Sequence, residues 1–298
     1  MAGDPDLATS AAALKALDAA GADVIELGVP YSDPLADGPT IQGAHTRGLD
    51  GGTTLDAVLS MLAATTPGLK ASIVLFTYYN PIMRRGLARF CGEAAAAGVT
   101  GEEFKVEGGV WEGRGGVGRR AELRAGSPRP LPPLARRPPP AVDRPHPSTH
   151  SPPIPAGLLV PDIPLEETGP VRDVAGSAGL ELVLLCTPTT PAARMAAIAA
   201  ASQGFVYLVS VAGVTGARTT NEGRVEGLIA SLRGMTDKPV AVGFGVSGPA
   251  QAAQLRAWGA DGVIVGSALV KAVGEAASPG EGLAALDALA REIRAALD

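Results

Sequence analysis

Outside residues 102–156, short β-branched or apolar runs alternate with longer Ala/Leu-rich runs of helical period. This alternation is typical of βα units around a parallel sheet, because each strand needs a helix that returns the chain across the sheet. The pattern predicts seven strands and eight helices. A helix comes first, whereas a closed (β/α)₈ barrel begins with a strand. We therefore expect an α/β fold, a TIM (β/α)₈ barrel that lacks its first strand.

The expected elements follow directly from these runs. Strands are predicted at Val24–Leu27, Ser72–Phe76, Leu158–Val160, Leu182–Cys186, Phe205–Val209, Val240–Gly243 and Gly262–Val265. Helices are predicted at Ala12–Ala20, Leu55–Ala64, Leu87–Ala97, Glu166–Ala178, Ala192–Ala201, Glu222–Arg233, Pro249–Trp258 and Leu283–Leu297.

Residues 102–156 differ in composition from the rest of the chain. They hold 12 of the 26 prolines and nine Lys and Arg against six Asp and Glu, although the whole chain has a net charge of -5. A basic, proline-rich segment with few apolar residues cannot bury enough surface to offset its ordering entropy. We predict one barrel domain, made of residues 1–101 and 157–298, and a disordered insert at residues 102–156.

The ends of this insert fit splice signals. Gly101-Glu102 can be encoded as GGT-GAG, which contains a donor, and Pro155-Ala156-Gly157 as CCC-GCA-GGC, which contains an acceptor. Merging Gly101 and Gly157 into one codon leaves 242 of the 298 residues, close to the ~250 of a simple barrel. We predict that the insert is a retained intron, which implies a eukaryotic source. Arg129-Pro-Leu-Pro-Pro-Leu134 also resembles a polyproline ligand of adaptor modules, so a scaffold is an alternative.

Composition and residue spacing exclude several other classes of protein. No apolar run approaches the roughly 18 residues of a spanning helix, and the acidic barrel residues offer no basic patch for nucleic acid. The two cysteines, Cys91 and Cys186, fit a reducing compartment. His45 is the only histidine outside the insert, and no residues have metal-ligand spacing, so we expect neither a metal nor a His-dependent nucleophile.

The densest polar stretch, Ile25–Gln42, begins in a predicted strand and continues into a loop, where barrel enzymes place their active sites. A carboxyl group at Glu26 that faced the barrel interior would be desolvated and could transfer protons. It could equally face outward, beneath a helix, and pair with a basic residue. Asp33 and Asp37 lie in a loop stiffened by three prolines, which could hold a carboxylate in a fixed pose, although aspartate is also an ordinary turn residue.

Glycine-bearing segments follow the last three strands, at Gly213–Gly216, Gly243–Ser247 and Gly266–Lys271. Glycine lets backbone N–H groups approach an anion closely, and a short helix that begins at Ser267 would add a partial positive charge. The three segments together predict a phosphate site at the carboxyl ends of these strands.

The stretch Ile25–Gln42 resembles the signature of the tryptophan synthase alpha chain family. The resemblance continues through Tyr79–Pro81, Leu159–Pro164 and the three glycine-bearing segments, and it covers nearly everything except the insert. The family is a TIM barrel that cleaves indole-3-glycerol phosphate to indole and glyceraldehyde 3-phosphate. The resemblance therefore implies a lyase of tryptophan biosynthesis.

Roles for individual residues are also implied by this resemblance. Glu26 matches the general acid/base and Asp37 the aspartate that accepts a hydrogen bond from the indole N–H. The positions implied for substrate and phosphate binding are Tyr207, Thr215, Gly216, Phe244, Gly245, Gly266 and Ser267. The positions implied at the interface with the beta chain are Pro30, Asp33 and Asp162.

The same resemblance implies a partner, a tryptophan synthase beta chain in an alpha-beta heterotetramer, and a tunnel through which indole passes to it. Pyridoxal phosphate is expected in that beta chain, and no cofactor is expected in this one. The compartment implied is the plastid stroma if the source is eukaryotic, as the insert indicates, and otherwise the cytoplasm. The absent first strand leaves a second alternative open, a catalytically impaired barrel that binds or activates a beta chain.

Overall fold

The structure is a computed structural model that describes residues 1–99, 156–210, 222–243 and 245–298. Its sheet contains seven parallel strands, in which each strand pairs with the next along the chain. The strands are β1 (Val24–Gly28), β2 (Ser72–Phe76), β3 (Gly157–Leu159), β4 (Glu181–Cys186), β5 (Val206–Val209), β6 (Val240–Gly243) and β7 (Gly262–Val263). The predicted seven-stranded barrel fold is confirmed, and each predicted strand lies within two residues of an observed one.

Helices of the described residues cover one face of the sheet. They are α1 (Leu7–Ala19), α2 (Pro39–Asp50), α3 (Leu55–Thr65), α4 (Tyr79–Arg85), α5 (Leu87–Ala94), α6 (Thr168–Ser177), α7 (Ala192–Ala201), α8 (Glu222–Arg233), α9 (Pro249–Ala257), α10 (Ser267–Gly274) and α11 (Pro279–Leu297). No helix in these ranges is both long and apolar enough to cross a membrane.

Capping residues explain why two helices begin earlier than predicted. The Asp6 carboxylate accepts a hydrogen bond from the Thr9 N–H at 2.6 Å, so α1 begins at Leu7 rather than Ala12. Ser278 caps α11 in the same way, so that helix begins four residues before Leu283.

Helices α2 and α4 were not predicted, and α2 carries part of the candidate site. The sequence predicts a proline-stiffened loop up to Gln42, but Pro39 occupies the first turn of α2 after the N-cap Gly38. Proline is favoured at this position, because its missing N–H would have no intrahelical partner and its φ is already helical.

Side chains alternate along each strand between two apolar clusters. Ile25 and Leu27 of β1 pack into the larger cluster, beneath the helices. Val24 packs against the smaller cluster inside the barrel, which is formed by Val74, Leu159, Val183, Phe205, Tyr207 and Val209. Because side chains of a strand alternate with a period of two, Glu26 lies on the same inner face as Val24. Its neighbour across the pairing with β2 is Val74, which also faces inward.

Within the described ranges β1 and β7 each pair with one strand only, so they form the two edges of the sheet. Helix packing joins these two edges. Helix α1 contacts α11, and α2 contacts α10. Two ion pairs lie at these contacts: Arg294 bonds to Asp23 at 3.0 Å, and Arg47 makes a bidentate pair with the buried Asp4 at 2.8 Å. Helix contacts therefore connect the two edges of the sheet.

Candidate active site

Glu26 lies on the inner face of β1, in the barrel interior. Burial raises the pKa of the Glu26 carboxyl to about 7, and the nearby negative charge of Asp37 acts in the same direction. The alternative in which Glu26 faces outward beneath a helix is wrong, because Ile25 and Leu27 occupy that side of β1. A carboxyl group with this pKa can hold or release a proton near neutral pH.

Asp37 is the buried carboxylate of the β1–α2 loop, with only 6% of its surface exposed. Its Oδ2 accepts hydrogen bonds from the Tyr78 hydroxyl at 2.8 Å and from His45 Nε2 at 3.1 Å. The Gln42 amide donates to the backbone carbonyl of Asp37 at 2.9 Å. These contacts hold both the backbone and the side chain of Asp37, so its position is set by α2 and by Tyr78, two residues after β2.

His45 and Tyr78 were missed as site residues by the sequence analysis. His45, which is 1% exposed, accepts a hydrogen bond from the Tyr31 N–H at its Nδ1, with an N–N distance of 2.9 Å. The Ala36 N–H donates to the Tyr78 hydroxyl at 3.0 Å, and the Tyr31 and Tyr78 rings stack with centroids 5.0 Å apart. Sequence spacing gave no signal for these contacts, because Tyr78 lies 41 residues from Asp37 on another element.

Tyr207 extends from β5 into the same interior, as its assignment to the site requires. Burial raises the pKa of its hydroxyl well above the ordinary value, and the charges of Glu26 and Asp37 add to the effect. Gly243 of β6 makes room for this ring, because a Cβ there would lie 2.5 Å from the Tyr207 hydroxyl oxygen. Gly243 thus has a packing role in addition to its position in a glycine-bearing segment.

Gly245, Gly266 and Ser267 are exposed and follow the carboxyl ends of β6 and β7. Gly266 is the N-cap of α10, and Ser267 is the first residue of that helix. A Cβ added at Gly266 would meet no atom of the described residues within 4 Å, so these residues leave the backbone open to a ligand. The first N–H groups of a helix have no intrahelical partner and attract anions. Thr215, Gly216 and Phe244 lie outside the described residues.

Pro30, Asp33 and Asp162 lie on loops that follow β1 and β3, at the same end of the barrel as the candidate site. Asp33 is exposed and accepts a hydrogen bond from the Ser32 hydroxyl at 2.6 Å. Asp162 accepts one from the Tyr79 N–H at 2.9 Å. Leu35, beside Asp33, is 86% exposed. This face therefore combines exposed carboxylates with an exposed apolar side chain.

The two cysteines lie outside this site. Cys91 and Cys186 are both fully buried, and they pack in the apolar cluster beneath the helices. Burial raises the pKa of each thiol, which disfavours the reactive thiolate. Among the residues described, no group of three His, Cys, Asp or Glu side chains could hold a metal ion.

Fold and site together define the class of protein: a TIM-barrel enzyme whose polar interior is built from carboxyl groups. The family described as tryptophan synthase alpha chain matches residues 1–102 and 154–298. The chain belongs to this family.

Relatives and solved structures agree with this assignment. The chain is 49% identical to the tryptophan synthase alpha chain of Picosynechococcus sp., with 99% of this chain and 90% of the relative covered. It is 45% identical to that of Arabidopsis thaliana, with 99% and 87% covered. A solved structure of the tryptophan synthase α2β2 complex from Pyrococcus furiosus is similar, with a TM-score of 0.74, 34% identity and coverage of 99% of this chain and 95% of that chain.

Proposed function

We propose that this chain is a lyase of tryptophan biosynthesis that cleaves indole-3-glycerol phosphate to indole and glyceraldehyde 3-phosphate. The family assignment supports the reaction. The observation that carries the site assignment is the inward-facing Glu26, whose pKa is raised to about 7 beside a second, buried carboxylate. Two carboxyl groups in different environments can divide acid/base and electrostatic roles.

Glu26 alone can carry both proton transfers of this cleavage, since it gives one proton and takes one back. Protonated Glu26 gives its proton to indole C3, which converts the ring to a cation with its charge at the ring nitrogen. The resulting carboxylate removes the proton of the side-chain hydroxyl next to the ring, and that oxygen forms a carbonyl as the bond from C3 to the side chain breaks. The electrons of that bond restore the aromatic ring, and Glu26 is protonated again.

Asp37 stabilises the cationic ring through a hydrogen bond from the ring N–H. A buried carboxylate is well suited to this role, since charge stabilisation is stronger in a site from which water is excluded. The backbone groups at Gly245, Gly266 and Ser267 bind the phosphate, together with Thr215 and Gly216. Tyr207 and Phe244 contact the indole. The proton transfers need no cofactor in this chain.

The partner in this proposal is a tryptophan synthase beta chain, which carries pyridoxal phosphate, in an alpha-beta heterotetramer. The solved Pyrococcus furiosus relative is an α2β2 complex. The exposed Asp33 and Leu35 at the mouth of the site, together with Pro30 and Asp162, provide a docking face. Binding can be measured by sedimentation with a purified beta chain. Asp33→Lys should abolish the complex, and an unchanged complex would contradict the assignment.

Purified protein should release indole from indole-3-glycerol phosphate, and this assay tests the proposed activity directly. Indole is detected by its colour reaction after extraction, and the Glu26→Gln variant is the negative control. If the wild-type chain released no more indole than the Glu26→Gln variant, yet still increased the activity of a beta chain, it would be an impaired barrel that acts only as a partner.

We also propose that residues 102–156 are a retained intron. The ranges matched by the family leave out residues 103–153, and Gly157 supports the proposed junction. A Cβ at Gly157 would overlap with the Glu181 carbonyl oxygen, so β3 must begin with glycine, and the merged codon keeps one there. The spliced chain would place Thr100 at the position of the buried Ala156. Sequencing the mature transcript decides this, because a working enzyme that contains Arg129–Leu134 would overturn it.

We propose the plastid stroma as the compartment of this enzyme, because a retained intron implies a eukaryotic gene. Its relatives include plant and cyanobacterial chains, and this distribution fits a plastid origin. Expression of the complete gene with a fluorescent protein at its carboxyl terminus should label plastids, and cytosolic fluorescence would contradict this compartment.

A further inference from the structure

The hydrogen-bond partners of His45 determine which of its ring nitrogens carries a proton. The Tyr31 N–H can only donate, so Nδ1 of His45 must accept, at 2.9 Å. In a neutral imidazole the other nitrogen then carries the proton. Nε2 lies 3.1 Å from Asp37 Oδ2 and donates to it. The ring is therefore a fixed donor, held in one tautomer by a backbone group.

The two oxygens of Asp37 have different surroundings. Oδ2 accepts from both His45 Nε2 and the Tyr78 hydroxyl. The Tyr78 hydroxyl in turn accepts from the Ala36 N–H, so its own proton is directed to Asp37. Across the described part of the chain, no donor bonds to Oδ1. Two donors on one oxygen fix the rotation of the carboxylate and leave its second oxygen for a ligand.

His45 also ties together the two ends of the loop that bears Asp37. It contacts Tyr31 at the start of the loop and Asp37 at its end, and it is 1% exposed within α2. Because α2 is a regular helix anchored by the Arg47–Asp4 ion pair, the ring is fixed relative to the sheet. Its contact with Asp37 transmits that position to the loop.

We propose that His45 is a positioning residue that holds Asp37 with Oδ1 available to the N–H of the substrate ring. This inference rests on the proposed function, in which Asp37 accepts that N–H. It assigns His45 no proton transfer, since its Nε2 proton stays on the ring throughout the reaction.

Two inhibitors separate a positioning role from a general structural one. The first is 3-(indol-3-yl)propyl phosphate, which keeps the ring and phosphate but lacks the hydroxyl groups needed for cleavage. The second is its benzofuran counterpart, in which oxygen replaces the ring N–H. The wild-type chain should bind the indole compound more tightly by about tenfold or more, as expected for a hydrogen bond to a charged acceptor.

His45→Leu keeps the size of the side chain but removes the donor, so the preference for the indole compound should fall to about twofold or less. Binding of the benzofuran compound should stay unchanged. His45→Gln keeps an N–H donor at similar reach and should restore most of the preference. Ala44→Gly disturbs the same helix without contacting Asp37, and it should leave the preference intact.

Equal weakening of both compounds in His45→Leu, or an unchanged preference, would overturn the positioning role. If the wild-type chain itself shows no preference, the role of Asp37 in the proposed function is wrong, and this inference fails with it. Should His45→Leu not fold, nitrogen NMR of wild-type protein labelled at its histidine rings decides the question, with His45→Gln to assign the signal. A neutral ring protonated at Nε2 supports the inference, and a ring protonated at Nδ1 overturns it.

Discussion

Glu26 and Glu181 are both strand glutamates, the third residue of β1 and the first residue of β4, and their neighbours differ in the sign of the charge. Burial raises the pKa of both carboxyl groups. The next contribution for Glu26 is the negative Asp37, which raises its pKa further, whereas for Glu181 it is the positive Lys238, which lowers it. Desolvation alone therefore does not distinguish a catalytic acid from a structural one.

Glu181 lies at the amino end of β4, where neighbouring residues pack closely around it. Lys238 donates hydrogen bonds to the carbonyls of Ala199 and Ala200, in the last turn of α7, at 2.8 and 2.9 Å. Gly204 makes room for the carboxyl, since a Cβ there would lie 2.5 Å from Glu181 Oε2. The cation thus stabilises a helix end as well as the acid. Glu26, by contrast, lies on the inner face of β1, where its charged neighbour is Asp37.

The largest expected effect is the loss of activity in Glu26→Gln. Removing the ionisable group should lower kcat by about 10³-fold, within the range typical of general acid/base catalysis. Circular dichroism should show an unchanged fold. The matched change Glu181→Gln should keep kcat within about twofold, because this side chain contacts no reacting atom. Equal losses in both variants would remove the distinction between the two glutamates.

A smaller effect is expected at Gly266, which follows the carboxyl end of β7. Gly266→Val should raise the KM for indole-3-glycerol phosphate by about 10- to 100-fold, because its side chain would occupy the space of the phosphate. The part of the chain that the structure describes offers no obstacle there, since a Cβ at Gly266 meets none of its atoms within 4 Å. Gly176→Val, at an equally open position near the other end of the barrel, is the control. A wild-type KM in Gly266→Val would contradict the phosphate site.

The pH dependence of activity should follow the pKa of about 7 at Glu26. The first step uses the protonated carboxyl, so kcat/KM should be highest below pH 7 and fall about tenfold for each unit above it. A profile measured from pH 5.5 to 9 checks this. A rate that instead rises through pH 7 would show that removal of the hydroxyl proton begins the reaction.

Stability should also depend on pH through Glu26. Because its pKa is raised in the folded state, the unfolded chain loses this proton at lower pH than the folded chain does. The free energy of unfolding should therefore fall as the pH rises from the ordinary glutamate range to about 7. Urea unfolding of wild-type and Glu26→Gln proteins should show a weaker dependence in the variant, and identical slopes would contradict the raised pKa.

The smallest expected effect is that of Lys238→Met, which removes the positive charge near Glu181. Losing the positive charge should raise the pKa of Glu181 further, since Lys238 lowers it now. Carbon NMR of labelled glutamate carboxyl groups can follow this titration. Activity should remain within about twofold of wild type, and a larger change in kcat would show that the two ends of the barrel are coupled.

The strands were predictable because short β-branched and apolar runs between turn residues are local features. Ser72–Phe76 and Val240–Gly243 match the observed β2 and β6 at both ends. Helix α2 was missed, since the prolines around Asp37 are compatible with both a stiff loop and a helix start. The Ile25–Gln42 signature indicated the family and the candidate carboxyl groups. It also indicated that these groups lie where a barrel strand passes into its loop. It did not tell which way Glu26 faces.

Tertiary structure decided the direction of Glu26 and the partners of Asp37. A period of two in a strand divides side chains between two faces but does not tell which face lies inside the barrel. That is settled by the packing of Ile25 and Leu27 under the helices. The contacts of His45 and Tyr78 with Asp37 join a helix, a strand end and a loop. Their geometry exists only after the chain has folded, because hydrogen bonds depend on distance in space rather than on separation in sequence.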